Sequence, residues 1–355
     1  MVKKFTASVV GGGGGGRLSI DGLVNSDRFD FVAVTDLRPE VCKELEKNYP
    51  GIKTFTDHKE MFKKCPTDIV CVSTWAPSHE SVTMDALNML PLKGILVEKP
   101  LGDTVKAGRN IIDAIKKKNL PMATPHGLLV KKHSLEILDR VHRGEIGELK
   151  LVEIQNSGWD MFNAGIHWLN YFVNLAQLEP MDFVMSTCES STRTYRDGMQ
   201  VGTTEVTYAQ TKSGVRVVMN TGDYVNINEK DHGSLFRIIG TKGMITFFGW
   251  EEQYVLLNAE YPQGKQFLVK EPKETLHIVH LENMAKMIDA GKPDYTIPES
   301  SLIALEIVEG GYLASRHNCK VTFPVDKFVV PQKQSWDPGM PYSGKGGGRD
   351  GRKLP

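Results

Sequence analysis

The sequence predicts an α/β protein that opens with a doubly wound parallel sheet and continues into a second domain. Three observations carry this. Short apolar strand signals alternate with helical ones as far as Pro125. A run of six glycines, Gly11–Gly16, follows the first strand. An acid, Asp36, closes the second strand. Alternating strands and helices are the signature of parallel sheets covered on both faces. The length, 355 residues, suggests about two domains at roughly 100–200 residues each.

The first strand reads as Phe5–Val10, the helix after the glycines as Arg17–Val24, and the second strand as Phe29–Thr35. Arg38–Lys47 and Lys59–Lys64 read as helices, with a short extended segment ending at Thr54 between them. Ile69–Ser73 is a continuous apolar strand of the kind buried in a parallel sheet. A helix over Ser78–Leu90 with Ser78 as N-cap, a strand at Gly94–Val97, a helix over Thr104–Lys118 and a strand at Pro121–Pro125 complete the alternation.

Within the glycine run, Gly11, Gly13 and Gly16 satisfy G-x-G-x-x-G, with Gly14 and Gly15 completing the loop. The first glycine permits the tight turn and the second lets a pyrophosphate approach the backbone. The third lets the helix pack closely on the strand. The pyrophosphate then meets the positive end of the helix dipole. Asp36 lies 20 residues beyond Gly16, where a carboxylate hydrogen-bonds a ribose hydroxyl. A carboxylate there repels a 2′-phosphate, so NAD is the expected cofactor. Arg38, two residues on, keeps NADP open. Ligands bind such sheets beyond the carboxyl ends of the strands. That places Gly11–Gly16, Asp36, Thr74–Pro77, Glu98–Pro100 and Pro125–His126 on one rim.

Composition excludes several classes. Lys and Arg number 43 against 43 Asp and Glu, which argues against a nucleic-acid or polybasic membrane-surface protein. No run of about 18 apolar residues predicts a membrane span, and the N-terminus does not read as a signal peptide. Five scattered cysteines, Cys42, Cys65, Cys71, Cys188 and Cys319, lack metal-ligand spacing. They fit free thiols in a reducing cytoplasm, and no metal is expected.

At Glu98-Lys99-Pro100 the chain becomes familiar. It resembles the glucose–fructose oxidoreductase/inositol dehydrogenase/MocA (Gfo/Idh/MocA) family, nearly to Val325. The glycine loop, S-T-x-x-P-x-H at Ser73–His79 and V-E-K-P at Val97–Pro100 carry the resemblance. So do G-E-I-G-E-L at Gly144–Leu149, G-I-H at Gly165–His167, G-T-K-G at Gly240–Gly243 and S-R-H-N-C-K-V-T-F-P at Ser315–Pro324. The resemblance implies a Rossmann domain over residues 1–123. It implies an α/β substrate domain with a large, open, mostly antiparallel sheet over 124–330, often the oligomer interface. Long alternating strand patterns at Leu149–Asn156, Glu205–Thr211, Val215–Thr221, Leu235–Ile239 and Met244–Phe248 agree, and an exposed sheet face calls for a partner, as in a dimer or tetramer.

The implied activity is hydride transfer between a nicotinamide and a secondary hydroxyl of a sugar, polyol or glycoside. Ser73, Thr74, Trp75, Pro77, His79, Glu98 and Lys99 join the cofactor set. Lys99 is the motif lysine, able to take or relay the hydroxyl proton if desolvation lowers its pKa. His167 matches the family histidine, which follows an acid by four residues on one helix face. Here that earlier position is Asn163, which cannot accept a proton, so Lys99 or His167 acts alone. Asp160 is read first as a loop or helix-capping carboxylate and second as a substitute for the missing acid. His126 and Trp159 are candidate substrate contacts. Arg193, Tyr195, Arg196 and Asp197 form a polar cluster, read first as a solvated loop and second as substrate contacts, as is His232. The Gly- and Pro-rich tail, 331–355, reads as disorder or as an arm anchored by Trp336, Met340 and Tyr342. A redox-assisted lyase or hydrolase with tightly held NAD, and a non-catalytic NAD sensor, are the alternative functions.

Overall fold

The computed structural model describes residues 4–227, 233–271 and 275–332. His232 and the tail residues Trp336, Met340 and Tyr342 lie outside the described residues.

The first domain alternates strand and helix: β1 (Phe5–Val10), α1 (Gly14–Val24), β2 (Phe29–Thr35), α2 (Pro39–Asn48), β3 (Lys53–Phe55), α3 (His58–Lys64), β4 (Ile69–Val72), α4 (Ala76–Met89), β5 (Gly94–Val97), α5 (Val105–Lys117) and β6 (Met122–Ala123). Its strands form one parallel sheet in the order 3-2-1-4-5-6. Every residue of β4 and β5 is buried, as expected of strands covered on both faces. Most bounds fall within a residue of the sequence reading; β6 is shorter than the Pro121–Pro125 reading, and two helices begin earlier than read, for local reasons. Helix α1 begins at Gly14 because the glycine run itself forms its first turn. Helix α4 begins at Ala76, with Pro77 in its first turn, where the fixed φ of proline is pre-organised and its missing N–H costs nothing. Ser78 therefore lies inside the helix, and its hydroxyl donates to Thr74 Oγ1 at 2.8 Å.

The second domain holds α6 (Lys132–His142), β7 (Leu149–Ser157), α7 (Ile166–Leu175), β8 (Met181–Glu189), a small hairpin of β9 (Tyr195–Arg196) and β10 (Met199–Gln200), β11 (Thr204–Thr211), β12 (Arg216–Gly222), β13 (Ser234–Gly240), β14 (Gly243–Phe248), β15 (Gln253–Asn258) and β16 (Lys265–Leu268). Helices α8 (Leu276–Ala290) and α9 (Thr296–His317) and strand β17 (Val321–Thr322) follow. Nine strands form one sheet in the order 16-15-14-13-7-12-11-8-17. All pairs are antiparallel except β7 with β12. Alternate residues, among them Val152, Ile154, Val217, Met219, Phe236 and Phe247, point into the core. The opposite face carries Met185, Val206, Val255 and Leu257, all exposed.

Helix α8 crosses back to the first domain. Leu281, Met284 and Ala285 join the core formed by β1, β2 and β4. The crossing is close at Gly22 of α1, where a Cβ would lie 2.9 Å from Leu281 and 3.0 Å from the Ile278 backbone nitrogen. The helix therefore presents its N-terminal end to the carboxyl rim of the parallel sheet.

Candidate active site

The glycine loop divides into glycines the fold requires and glycines that leave space. Gly11 has φ +99°, and a Cβ there would lie 2.4 Å from the Ser73 carbonyl oxygen. A Cβ on Gly16 would lie 1.7 Å from the Gly11 carbonyl oxygen. A Cβ on Gly13 would meet nothing nearer than Arg38 at 3.8 Å, and one on Gly14 nothing within 4 Å. Gly13 caps α1 without a side-chain hydrogen bond, so no cap side chain satisfies the first N–H groups of the helix. Such a loop could receive a pyrophosphate, and the residues present fit a dinucleotide.

Asp36 ends β2, nearly buried. Its Oδ2 accepts from Gly12 N at 2.8 Å, and its Oδ1 from Arg38 N at 3.0 Å and Arg38 Nε at 2.9 Å. Burial works to raise this carboxyl, but the Arg38 and Gly12 hydrogen bonds outweigh it and hold it below its ordinary range. The Arg38 guanidinium is thus engaged by the carboxylate itself.

Beside the cradle lies a cavity of about 520 Å³ between the domains. Of the residues singled out in the sequence, Gly13, Gly14, Gly15, Ser73, Thr74, Trp75, Glu98, Lys99, Pro100, Pro125, Asn163 and His167 line it, and so do Arg196 and Asp197, read first as a solvated loop. The others stand behind or beside it. His79 is buried, with its ring nitrogens 2.9 Å from the carbonyl oxygens of Pro100 and Thr74; it braces the two rim loops instead of facing the cavity. His126 is buried with Nε2 2.8 Å from Ser301 Oγ, and its ring packs edge-on at 5.2 Å from His167.

Lys99 Nζ donates to the Asn163 carbonyl oxygen at 2.9 Å. Burial pushes the Lys99 amine below its ordinary pKa; the Glu98 charge opposes this and the Arg196 charge adds to it. Glu98 is buried against His277, with Oε1 2.7 Å from Nε2. Burial raises the Glu98 carboxyl, but the hydrogen bond and charge of His277 outweigh it, leaving the carboxyl below its usual range. His167 is held well below the usual imidazole range by burial, then by Lys99. It is neutral, and its Nδ1 is buried without a partner among the described residues. An orphaned buried acceptor costs less than an orphaned buried N–H, so the favoured tautomer carries the proton on Nε2, the nitrogen left for the cavity.

The turn before His167 is not an ordinary helix. Asp160 accepts from Asn163 N at 2.7 Å and from Asn163 Nδ2 at 3.0 Å, both on Oδ1. Met161–Gly165 then makes one π turn, with Gly165 N donating to Asp160 O at 3.0 Å. Position 163 and His167 are therefore not on consecutive turns of one regular α-helix, as the four-residue spacing implied. Asp160 is a cap, fully buried, and does not face the cavity as a base. Glu205, on β11, supports the same turn through Met161 N at 2.6 Å and Thr221 Oγ1 at 2.9 Å.

Sequence reasoning missed Trp250, His277 and His280, which also line the cavity. The two histidines sit three apart at the start of α8, one face of a helix. An H-x-x-H spacing was legible, but the crossing of α8 onto α1 that brings it to the rim was not. His280 Nε2 lies 3.2 Å from the His126 carbonyl oxygen, and burial pushes its imidazole down to about 4.

Residues 5–126 match the profile of the GFO_IDH_MocA family, an oxidoreductase family with an NAD-binding Rossmann fold. Inositol 2-dehydrogenase of Azotobacter vinelandii is 30% identical over 84 residues, 23% of this chain and 24% of that protein. The chain thus matches about a quarter of the length of its curated relatives. Likeness to solved structures is far longer. An oxidoreductase from Agrobacterium radiobacter in complex with NAD+, L-tartaric acid and magnesium matches with TM-score 0.74 at 14% identity, over 90% of this chain and 98% of that one. The aldose–aldose oxidoreductase from Caulobacter crescentus complexed with glycerol gives TM-score 0.76 at 19% identity, over 90% and 100%. At these identities the likeness is one of fold.

Proposed function

We propose that this chain, a member of the Gfo/Idh/MocA oxidoreductase family with its NAD-binding Rossmann domain, oxidises a secondary hydroxyl of a sugar, polyol or glycoside, or reduces the matching ketone, with NAD as cofactor. One observation carries the reading. Two bases, Lys99 and His167, each with its pKa lowered by burial, converge on a cavity whose other wall is the glycine loop. The named activities of the relatives and of the sugar-linked structural neighbours support the substrate class. Asp36 supports NAD, since it repels a 2′-phosphate and already occupies the Arg38 fork.

The nicotinamide, when bound, supplies the hydride acceptor or donor. The chain's residues do the rest. Gly13 and Gly14 admit the pyrophosphate to the start of α1. Lys99, desolvated and anchored on Asn163 O, takes the hydroxyl proton in oxidation and returns it in reduction. His167 donates from Nε2 to the same substrate oxygen and fixes its direction. Glu98, hydrogen-bonded to His277 and with its carboxyl held below the usual range, keeps a negative charge beside Lys99.

The uncovered face of the nine-stranded sheet suits pairing into a dimer or tetramer. Mass in solution tests this. Five free thiols fit a reducing, cytoplasmic setting.

The deciding experiment mixes the protein with NAD and a panel of sugars, polyols, cyclitols and glycosides, and follows absorbance of reduced nicotinamide. Net reduction that Lys99→Ala abolishes is the expected result. Bond cleavage without net reduction replaces the dehydrogenase reading with a redox-assisted lyase or hydrolase. NAD binding without turnover of any compound replaces it with a sensor. NADP outcompeting NAD overturns the assignment of Asp36.

A further inference from the structure

We infer that Arg196, with Arg193 behind it, forms an anion subsite at the substrate end of the cavity, so that the substrate carries a carboxylate or phosphate besides the reacting hydroxyl. This rests on the oxidoreductase reading for its substrate but on separate residues for its argument.

The β9–β10 hairpin turns through Asp197 and Gly198, with φ +46° and +83°. Positive φ at both central residues is the tight hairpin turn that matches strand twist. The turn seats on the first domain: a Cβ on Gly198 would lie 3.3 Å from Pro77 and 3.5 Å from Trp75. The hairpin thereby carries Arg196 to the cavity that Lys99 and His167 line.

Trp159 holds both arginines. The Arg196 guanidinium carbon lies 4.1 Å from its ring centroid and that of Arg193 5.4 Å. Stacking on a ring orients a guanidinium but leaves its in-plane N–H groups free. Among the described residues, Arg196 makes one hydrogen bond, Nε to Asp197 Oδ2 at 3.2 Å. The Arg193 guanidinium makes no hydrogen bond or ion pair among the described residues. One terminal nitrogen of each, Nη1, is buried without a partner among the described residues.

Charge points the same way. Among the described residues, the carboxylates lining the cavity are Glu98, held by His277, and Asp197, held by Arg196. Among the described residues, two guanidiniums on one tryptophan thus share a single paired carboxylate, Asp197. Two like charges side by side repel, and buried donors without acceptors cost free energy. An anion beside the exposed edge of Arg196 answers the first demand. A carboxylate or phosphate offers paired oxygens to the guanidinium fork, whereas a neutral hydroxyl cancels no charge. Arg196 also acts on Lys99 through its charge. An anion over Arg196 offsets that field and raises the basicity of Lys99 when an acidic substrate is bound.

The test uses the full chain saturated with NAD and three probes of similar size: D-glucose, D-glucuronate and D-glucose 6-phosphate. Affinity is read by calorimetry and by quenching of tryptophan fluorescence. One of the two anions should bind about 10- to 100-fold tighter than glucose, with the preference falling as salt rises. Which anion wins distinguishes an acidic sugar from a phosphorylated one. Arg196→Met should erase the preference, Arg196→Lys should keep part of it, and Arg193→Met should weaken it. NAD titration of each variant serves as the check on folding. Equal affinity for the three probes, no binding of either anion, or a preference that survives both methionine substitutions overturns the subsite. Anion binding without turnover of any sugar overturns the oxidoreductase reading and leaves the subsite. Turnover of neutral sugars without anion preference does the reverse.

Discussion

One oxygen of the Asp160 carboxylate holds Asn163 twice, by its backbone N–H at 2.7 Å and by its side-chain amide at 3.0 Å. The amide at position 163 is therefore a donor matched to a buried neighbouring acid, and Lys99 uses only its backbone carbonyl. A carboxylate at 163 would face Asp160 with no proton between them. Asn163→Asp should destabilise the protein by about 1–3 kcal/mol near neutral pH. The loss should shrink in acid, where one of the two carboxyls protonates. Thermal melting at pH 7.5 and pH 5 checks this, and an unchanged melting temperature at both values refutes the pairing.

The pH dependence of oxidation separates the two candidate bases. Lys99 must be neutral to take a proton, and burial places its pKa below the ordinary lysine value. The value of kcat/KM for oxidation should rise with pH through a midpoint below about 10.4. Lys99→Ala should cost about 10²–10⁴ in kcat/KM. His167→Gln should raise KM and lose less, with the midpoint kept, because a histidine already neutral contributes no proton step there. A midpoint that vanishes in His167→Gln transfers the role of base to the histidine.

Gly13→Ala isolates the cofactor cradle from the fold. The backbone there is extended, with φ −77°, and the added methyl meets nothing within 3.5 Å. Stability should stay within about 0.5 kcal/mol of the parent, while NAD affinity falls as the methyl takes the space left for the pyrophosphate. Gly16→Ala, clashing at 1.7 Å with the Gly11 carbonyl oxygen, should unfold the loop as well. Calorimetric NAD titration beside thermal melts tells the two apart.

Glu205 links stability to pH. Burial raises its carboxyl to about 7, against the hydrogen bonds from Cys188, Thr221 and Met161 that favour the charged form. Its folded pKa lies above its unfolded one, so the folded state holds a proton that the unfolded state has lost between roughly pH 4.3 and 7. Stability should fall as pH rises through that window and stay reduced above it. Glu205→Gln keeps an acceptor for Met161 and Thr221 and removes the ionisation. It should stabilise the protein at pH 8 by on the order of 2–3 kcal/mol and change little at pH 4.5. Chemical denaturation at the two pH values measures the difference.

Much of this was legible in the chain. Strands at Phe5–Val10, Phe29–Thr35 and Gly94–Val97 have the bounds their apolar runs imply, because a central strand is defined by local burial. The separate duties of Gly11, Gly13 and Gly16 follow from the absence of a Cβ, a property of single residues. The cap formed by Asp160 was one of two readings its position allowed, and a hydrogen bond three residues long decides between them.

The sequence alone determined the order of elements, the cradle, the acid after β2 and the lysine at the end of β5, since these depend on neighbours within a few residues. Tertiary structure decided what faces them. His277 comes to Glu98 across 179 residues and Lys99 to Asn163 across 64. Such meetings depend on how α8 crosses α1 and on where the β9–β10 hairpin lands against Trp75 and Pro77. Packing between distant faces sets those positions, and no spacing along the chain encodes it.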